Sequence, residues 1–162
     1  MLWTGYKGIG MKRYSFALMG LLALAPITGK AASIIVGGAS YHIGVSEYTH
    51  KGETKALNEI NPAIGIESDD GWSLAVMRNS YYKTSVVATK DWRWPISDNW
   101  TAGVKVGTTT GYGDTPINMD VAPFAQFEVG YTYKRVTTVL GYVPPVQDGY
   151  NGVVTLHWKY KL

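Results

Sequence analysis

Residues 151–162 read Asn-Gly-Val-Val-Thr-Leu-His-Trp-Lys-Tyr-Lys-Leu (NGVVTLHWKYKL). Val154, Leu156, Trp158, Tyr160 and Leu162 are apolar or aromatic at every second position, while Val153, Thr155, His157, Lys159 and Lys161 fill the gaps and are mostly polar. A period of two is that of a strand with one greasy and one wet face. An edge of this kind invites pairing with other chains unless something covers it. A sheet closed in a bilayer answers both needs, because lipid takes the greasy face and the first strand takes the free edge. A soluble barrel or sandwich strand shows the same alternation, so this stretch alone leaves both open.

Working outward, the chain from Ser33 is built of short alternating runs. Eight strands are expected, at about 33–45, 60–69, 72–79, 83–94, 98–109, 121–129, 131–142 and 152–162. Asp70-Gly71, Pro95 to Ser97 and Gly130 mark tight connections. Ser46 to Glu59, Asn79 to Tyr82, Thr110 to Asp120 and Val143 to Asn151 mark the other set. The two kinds alternate along the chain, as short inner turns and longer outer loops do in an outer-membrane barrel. The fold expected is therefore all-β, an eight-stranded antiparallel up-and-down transmembrane β-barrel. Its aromatics sort the same way. Trp72, Trp92, Trp94, Trp100, Trp158 and Tyr160 fall near the tight-turn end, and Tyr41, Tyr48, Tyr81, Tyr82, Tyr112, Tyr142 and Tyr150 near the other. Two girdles of amphipathic rings are expected at the two interfaces of a bilayer.

The beginning of the chain reads as an export signal. Met11-Lys12-Arg13 is a basic start, and Tyr14 to Ala25 (YSFALMGLLALA) is apolar. That run has signal-peptide length and falls short of the roughly 20 residues a spanning helix needs, the alternative reading being an N-terminal membrane anchor. Pro26, Gly29, Ala31 and Ala32 supply a breaker and small residues, with cleavage expected after Ala31 and Met1 to Gly10 as an upstream extension. Residues 1–31 are thus extension and signal peptide, and 32–162 the barrel. The 162 residues carry 15 Lys+Arg against 12 Asp+Glu. Four of the basic residues (Lys7, Lys12, Arg13 and Lys30) lie in the leader, so the remainder is slightly acidic and holds no basic run suited to nucleic acid. The absence of cysteine excludes disulfides and thiolate metal sites.

Strand parity assigns the lumen. With Ile35, Gly37, Ala39 and Tyr41 outward, Ser40 and His42 point inward. With Trp72, Leu74 and Val76 outward, Ser73, Ala75, Met77 and Asn79 point inward. Both strands climb to the outer rim, where Ser80 follows. A histidine, a hydroxyl and an amide at one rim are raw material for a base, a nucleophile and an orienter. Polar residues that merely hydrogen-bond also line barrel lumens, so both readings stay open here. At the opposite end Asp91, Glu128, Lys159 and Lys161 are expected to face inward and pair as a polar plug, since buried charges must pair. His42, His50 and His157 have no metal-ligand spacing. Pro62, Pro123 and Pro144-Pro145 each remove a ladder donor near the outer rim, which is either ordinary loop punctuation or a lateral gap for a lipid chain.

The chain resembles a known family over roughly residues 40–162: the lipid A palmitoyltransferases of the outer membrane, PagP. Pro123-Phe-Ala-Gln-Phe-Glu-Val-Gly130 is similar to that family's proline-led sixth strand. Gly141-Tyr-Val-Pro144, Asn151-Gly152 and the aromatic final strand resemble its last hairpin, and Ser40-Tyr-His42 its histidine-bearing strand. Met77-Arg-Asn-Ser80 stands where the family has an Asp-Ser pair. The resemblance implies transfer of an acyl chain from phospholipid to lipid A in the bacterial outer membrane. His42 would be the base, Ser80 the nucleophile or polariser, and Asn79 the orienter. It implies no cofactor, outer-membrane lipids as partners, and a monomer. The sequence departs from the family in having Asn79 at the acidic position, Asp91 near the glycine that floors the acyl pocket, and little room for a helix before the first strand. The competing expectation is a non-catalytic outer-membrane barrel with a structural or surface-binding role.

Overall fold

The structure, a computed structural model, describes residues 31–145 and 152–162. Residues 1–30 of the expected extension and leader, and Tyr150, lie outside these residues.

Ten strands are present among the described residues: β1 (Ala31–His42), β2 (Glu47–His50), β3 (Glu53–Ala56), β4 (Ile60–Ser68), β5 (Trp72–Arg78), β6 (Thr84–Pro95), β7 (Trp100–Tyr112), β8 (Met119–Tyr133), β9 (Val136–Val143) and β10 (Val153–Lys161). Eight of them close a barrel in the order β1-β10-β9-β8-β7-β6-β5-β4, and β2 and β3 form a separate hairpin. Every neighbouring pair is antiparallel, so this is the up-and-down barrel expected. The alternating stretch at the end of the chain closes it, with Ser33 opposite Lys161 and His42 opposite Val153. Closure leaves the barrel with no free edge.

Parity follows the alternation on most strands. Leu74, Val76, Val106, Leu140 and Trp158 are exposed on the outer wall, while Ser73, Thr89, Lys105, Gln126 and Lys159 are buried in the lumen. The strands place every second residue outside, and on the outer wall those residues are apolar, as on a lipid-facing sheet. No helix among the described residues is long and apolar enough to cross a membrane.

Strand β1 departs from the expected parity. Ile35 is buried and Val36 is exposed. A register shift lies between Gly37 and Ala39 on both sides of the strand, so Gly38 is an extra residue and the alternation is reset there. Below the bulge Ile35 and Gly37 face inward, opposite to expectation; above it Tyr41 is outward and His42 inward. A bulge of this kind re-aims the side chains that follow it. Only glycine fits, because a Cβ at Gly38 would stand 1.8 Å from the Leu156 carbonyl oxygen.

Two further expectations change. The β8–β9 turn is at Lys134-Arg135, with Tyr133 opposite Val136, and not at Gly130. Gly130 lies inside the sheet, its missing Cβ making room for Thr101 and Thr137 on the flanking strands. The outer tyrosines do not form one girdle. Tyr41 and Tyr82 are exposed, but Tyr81 is buried. Tyr48 stacks edge-on to Tyr81 at 4.8 Å and Tyr81 to Tyr112 at 5.8 Å between ring centroids. These rings dock the β2–β3 hairpin onto the rim instead of facing outward.

Candidate functional site

The lumen is divided in two. Its lower half is filled by charge. Lys159 Nζ lies 2.8 Å from Glu67 Oε2 and 2.9 Å from Asp91 Oδ2. Arg93 Nε lies 3.1 Å from Asp91 Oδ2, and Arg93 Nη2 also pairs with Glu67. Lys105 pairs with Glu128, whose Oε1 also accepts a hydrogen bond from Gln126 Nε2 at 2.9 Å. Three carboxylates thus face three cations, and the plug is neutral. Alternation brings them together, since they sit at inward positions on β4, β6, β7, β8 and β10. Lys161, expected in this plug, is exposed near the end of β10. Glu67, Arg93 and Lys105 complete the cluster.

Above the plug is a cavity of about 470 Å³. Ile35, Ala63, Ala75, Met77, Ala122 and Phe124 are among the residues on its walls, and Lys105, Gln126 and His157 are at its polar floor. Its size lies in the range of pockets that bind small molecules, about 300–1,000 Å³. His42, Ser80 and Tyr81 line its upper end. Asp91 belongs to the plug below, so the carboxylate shortens the bore without abolishing it.

At this upper end His42 Nε2 is 2.8 Å from Ser80 Oγ. His42 is 5 % exposed. Strand β1 carries it to the rim, and the short β5–β6 connection carries Ser80 to meet it. His42 Nδ1 is buried without a hydrogen-bond partner. Glu59 Oε1 stands 3.9 Å from it.

Asn79 does not orient the imidazole. It is fully buried, and its Oδ1 accepts hydrogen bonds from the backbone N–H groups of Tyr81 at 2.9 Å and Lys83 at 3.0 Å. Its Nδ2 donates to Ser85 Oγ and to the Gly111 carbonyl, both at 3.0 Å. The two backbone donors fix which end of the amide is oxygen. Asn79 therefore shapes the turn that presents Ser80 and ties it to β6 and β7. Sequence reasoning missed Glu59, because it lies where a loop enters β4 and alternation says nothing about direction there.

The wall beside the cavity is incompletely paired. The β8–β9 register runs from Phe127 opposite Tyr142 to Tyr133 opposite Val136. The upper part of β8, Met119 to Gln126, has registered partners on β7 and none on β9 among the described residues. Pro123 lies in this segment, and Pro144-Pro145 follow β9. Pro62 has a similar place, for the β4–β5 register starts only at Ala63 opposite Met77.

Above the rim, Asp114 joins three loops. Its Oδ1 is 2.7 Å from Lys51 Nζ and 3.2 Å from His50 Nε2, and its Oδ2 is 3.8 Å from Lys83 Nζ. Among the described residues no group of His, Asp and Glu is placed to hold a metal ion.

No protein-family model matches the chain, and no curated protein matches it. Among solved structures it is similar to the solution NMR structure of the de novo designed TMB2.3, a transmembrane β-barrel design. The TM-score is 0.55 at 10 % identity, covering 85 % of this chain and 98 % of that one. Likeness at this identity is a likeness of fold: the chain has the architecture of an eight-stranded transmembrane barrel.

Proposed function

We propose that the protein sits in the bacterial outer membrane and transfers an acyl chain from a phospholipid to a second lipid, lipid A, as the resembling PagP family does. The observation that carries this reading is the His42–Ser80 hydrogen bond at 2.8 Å, placed at the mouth of a largely apolar cavity. A barrel with a purely structural role has no need of an apolar bore, since side chains can fill an interior of this size. The exposed apolar wall suits contact with lipid. The partly unpaired β8 suits sideways entry of a chain from the bilayer.

The chemistry is acyl transfer in two steps. His42 Nε2 takes the Ser80 hydroxyl proton while Ser80 Oγ bonds to the ester carbonyl carbon. The ester C–O bond breaks, and the departing lipid alkoxide takes the proton from the imidazolium. In the second step the acceptor hydroxyl gives its proton to His42, and its oxygen bonds to the acyl carbon. The Ser80 ester bond breaks, and Ser80 regains the proton. No redox partner or metal is consumed. An oriented nucleophile–base pair is the arrangement such chemistry needs.

The test is mass spectrometry of lipid from vesicles holding the protein, phospholipid donor and lipid A. The wild type should add one acyl mass to the acceptor. His42→Ala and Ser80→Ala should each abolish it with no loss of folded barrel. A well-inserted wild type that adds no acyl mass to any lipid would overturn the reading and leave the non-catalytic barrel.

A further inference from the structure

We infer that Glu59 is the positioning residue of this site, completing a Ser80–His42–Glu59 relay in which its carboxylate holds the Nδ1 side of the imidazole. The inference rests on the acyl-transfer reading for its chemistry and on independent geometry for its placement. Ser80 occupies one ring nitrogen of His42. The other, Nδ1, is buried with no hydrogen bond, and Glu59 Oε1 stands 3.9 Å away. That distance is just outside hydrogen-bond range, and such contacts are often long before substrate binds.

The backbone on both sides of Glu59 is pinned. Its carbonyl accepts a hydrogen bond from the Ser40 N–H at 2.8 Å, two residues before His42. The neighbouring Asn58 N–H donates to the Ser80 carbonyl at 2.8 Å, and Asn58 Nδ2 donates to the Asn79 carbonyl at 3.1 Å. Asn58 is buried, and Leu57 before it is buried as well. One short segment is thus tied to the strand carrying the base and to the turn carrying the hydroxyl. The Glu59 side chain is about half exposed at 47 %, which leaves it free to close the remaining gap. Asn79 is spent on four other groups and cannot take this role.

Held this way, neutral His42 carries its proton on Nδ1 and offers Nε2 as the acceptor for Ser80. When the Ser80 proton moves to Nε2, the carboxylate stabilises the cation formed. That is the division of labour in a Ser–His–acid set.

Two measurements test it. The first is ¹⁵N NMR of the histidine ring in lipid nanodiscs, which reports which nitrogen is protonated. Wild-type His42 should be the Nδ1–H tautomer; Glu59→Ala should shift it to a mixture, and Glu59→Asp should keep it. The second is acyl transfer. Glu59→Ala and Glu59→Gln should lower turnover by tenfold or more, and Glu59→Asp should restore part of it. An unchanged tautomer in Glu59→Ala would overturn the inference, as would full turnover in that variant. The NMR arm needs no activity, so a wild type that transfers nothing yet shows the tautomer shift would sink the acyl-transfer reading and leave the Glu59 contact standing.

Discussion

At the scale of single residues, Asn79 shows how far an alternating pattern can be read. Its inward direction was legible, because β5 alternates cleanly from Trp72 to Arg78. Its partners were not, since they come from β6, β7 and the turn. An aspartate there would look from the sequence like a repair of the acidic position. In the structure it would set a carboxylate oxygen against the Gly111 carbonyl at a site with no solvent. Asn79→Asp is therefore expected to cost about 1–3 kcal/mol for the lost donor, and more if it stays charged. Urea unfolding from lipid vesicles measures this, and an unchanged midpoint would contradict the role given to the amide. The positions of His42 and Ser80 were legible because His42 ends β1 and Ser80 lies two residues beyond the end of β5. Ile35 was not, because the extra residue at Gly38 resets the alternation, and a lone glycine in a strand does not announce a bulge.

At the scale of elements, the polar plug binds several strands together, and a rim latch made by Asp114 with Lys51, His50 and Lys83 joins three loops. The need for a plug was legible from inward charges of both signs. Its membership was not, because which cation meets which carboxylate depends on the stagger between strands. Lys105→Met leaves Glu128 buried beside fewer cations and should cost about 3–5 kcal/mol, whereas Lys105→Met with Glu128→Leu should cost less, since the plug stays neutral. Unfolding of the two variants decides this, and a double variant weaker than the single one would contradict it. The latch is a pH device at its acid end. Hydrogen bonds from Lys51 and then His50 hold the Asp114 carboxyl down to about 2, below the ordinary 3.8. A depressed carboxylate contributes fully above its unfolded value and loses that contribution as pH falls through its folded one. The Lys51 and Gly52 amide shifts should accordingly titrate with a midpoint near 2. A midpoint at 3.8 or above would show that Asp114 does not hold the hairpin. The hairpin itself was invisible in the sequence, since Glu47 to Ala56 is exposed at most positions and has no apolar period. Gly130 misled for a related reason. Glycine marks a turn in most contexts, but here it clears space between two threonines inside the sheet.

At the scale of the whole molecule, the barrel was legible because closure and alternation are written into nearly every strand. Eight runs of period two, joined by connections of alternating length, leave few other folds. The division of the lumen was harder to read. It requires knowing that Glu67, Asp91 and Glu128 meet at one depth while Ala63, Ala75 and Met77 line the space above. A charged floor sets the depth of an apolar bore, and under the proposed function a hydrocarbon chain in that bore would bring its ester to His42 and Ser80. The direct measurement is intermolecular NOE spectroscopy in nanodiscs made with phospholipid carrying a ¹³C-labelled terminal acyl methyl. The expected result is contacts from that methyl to the inward side chains of Ile35, Ala75 and Phe124, above the floor. Contacts confined to the outward side chains Leu74, Val76 and Val86, with none to the inward set, would contradict it.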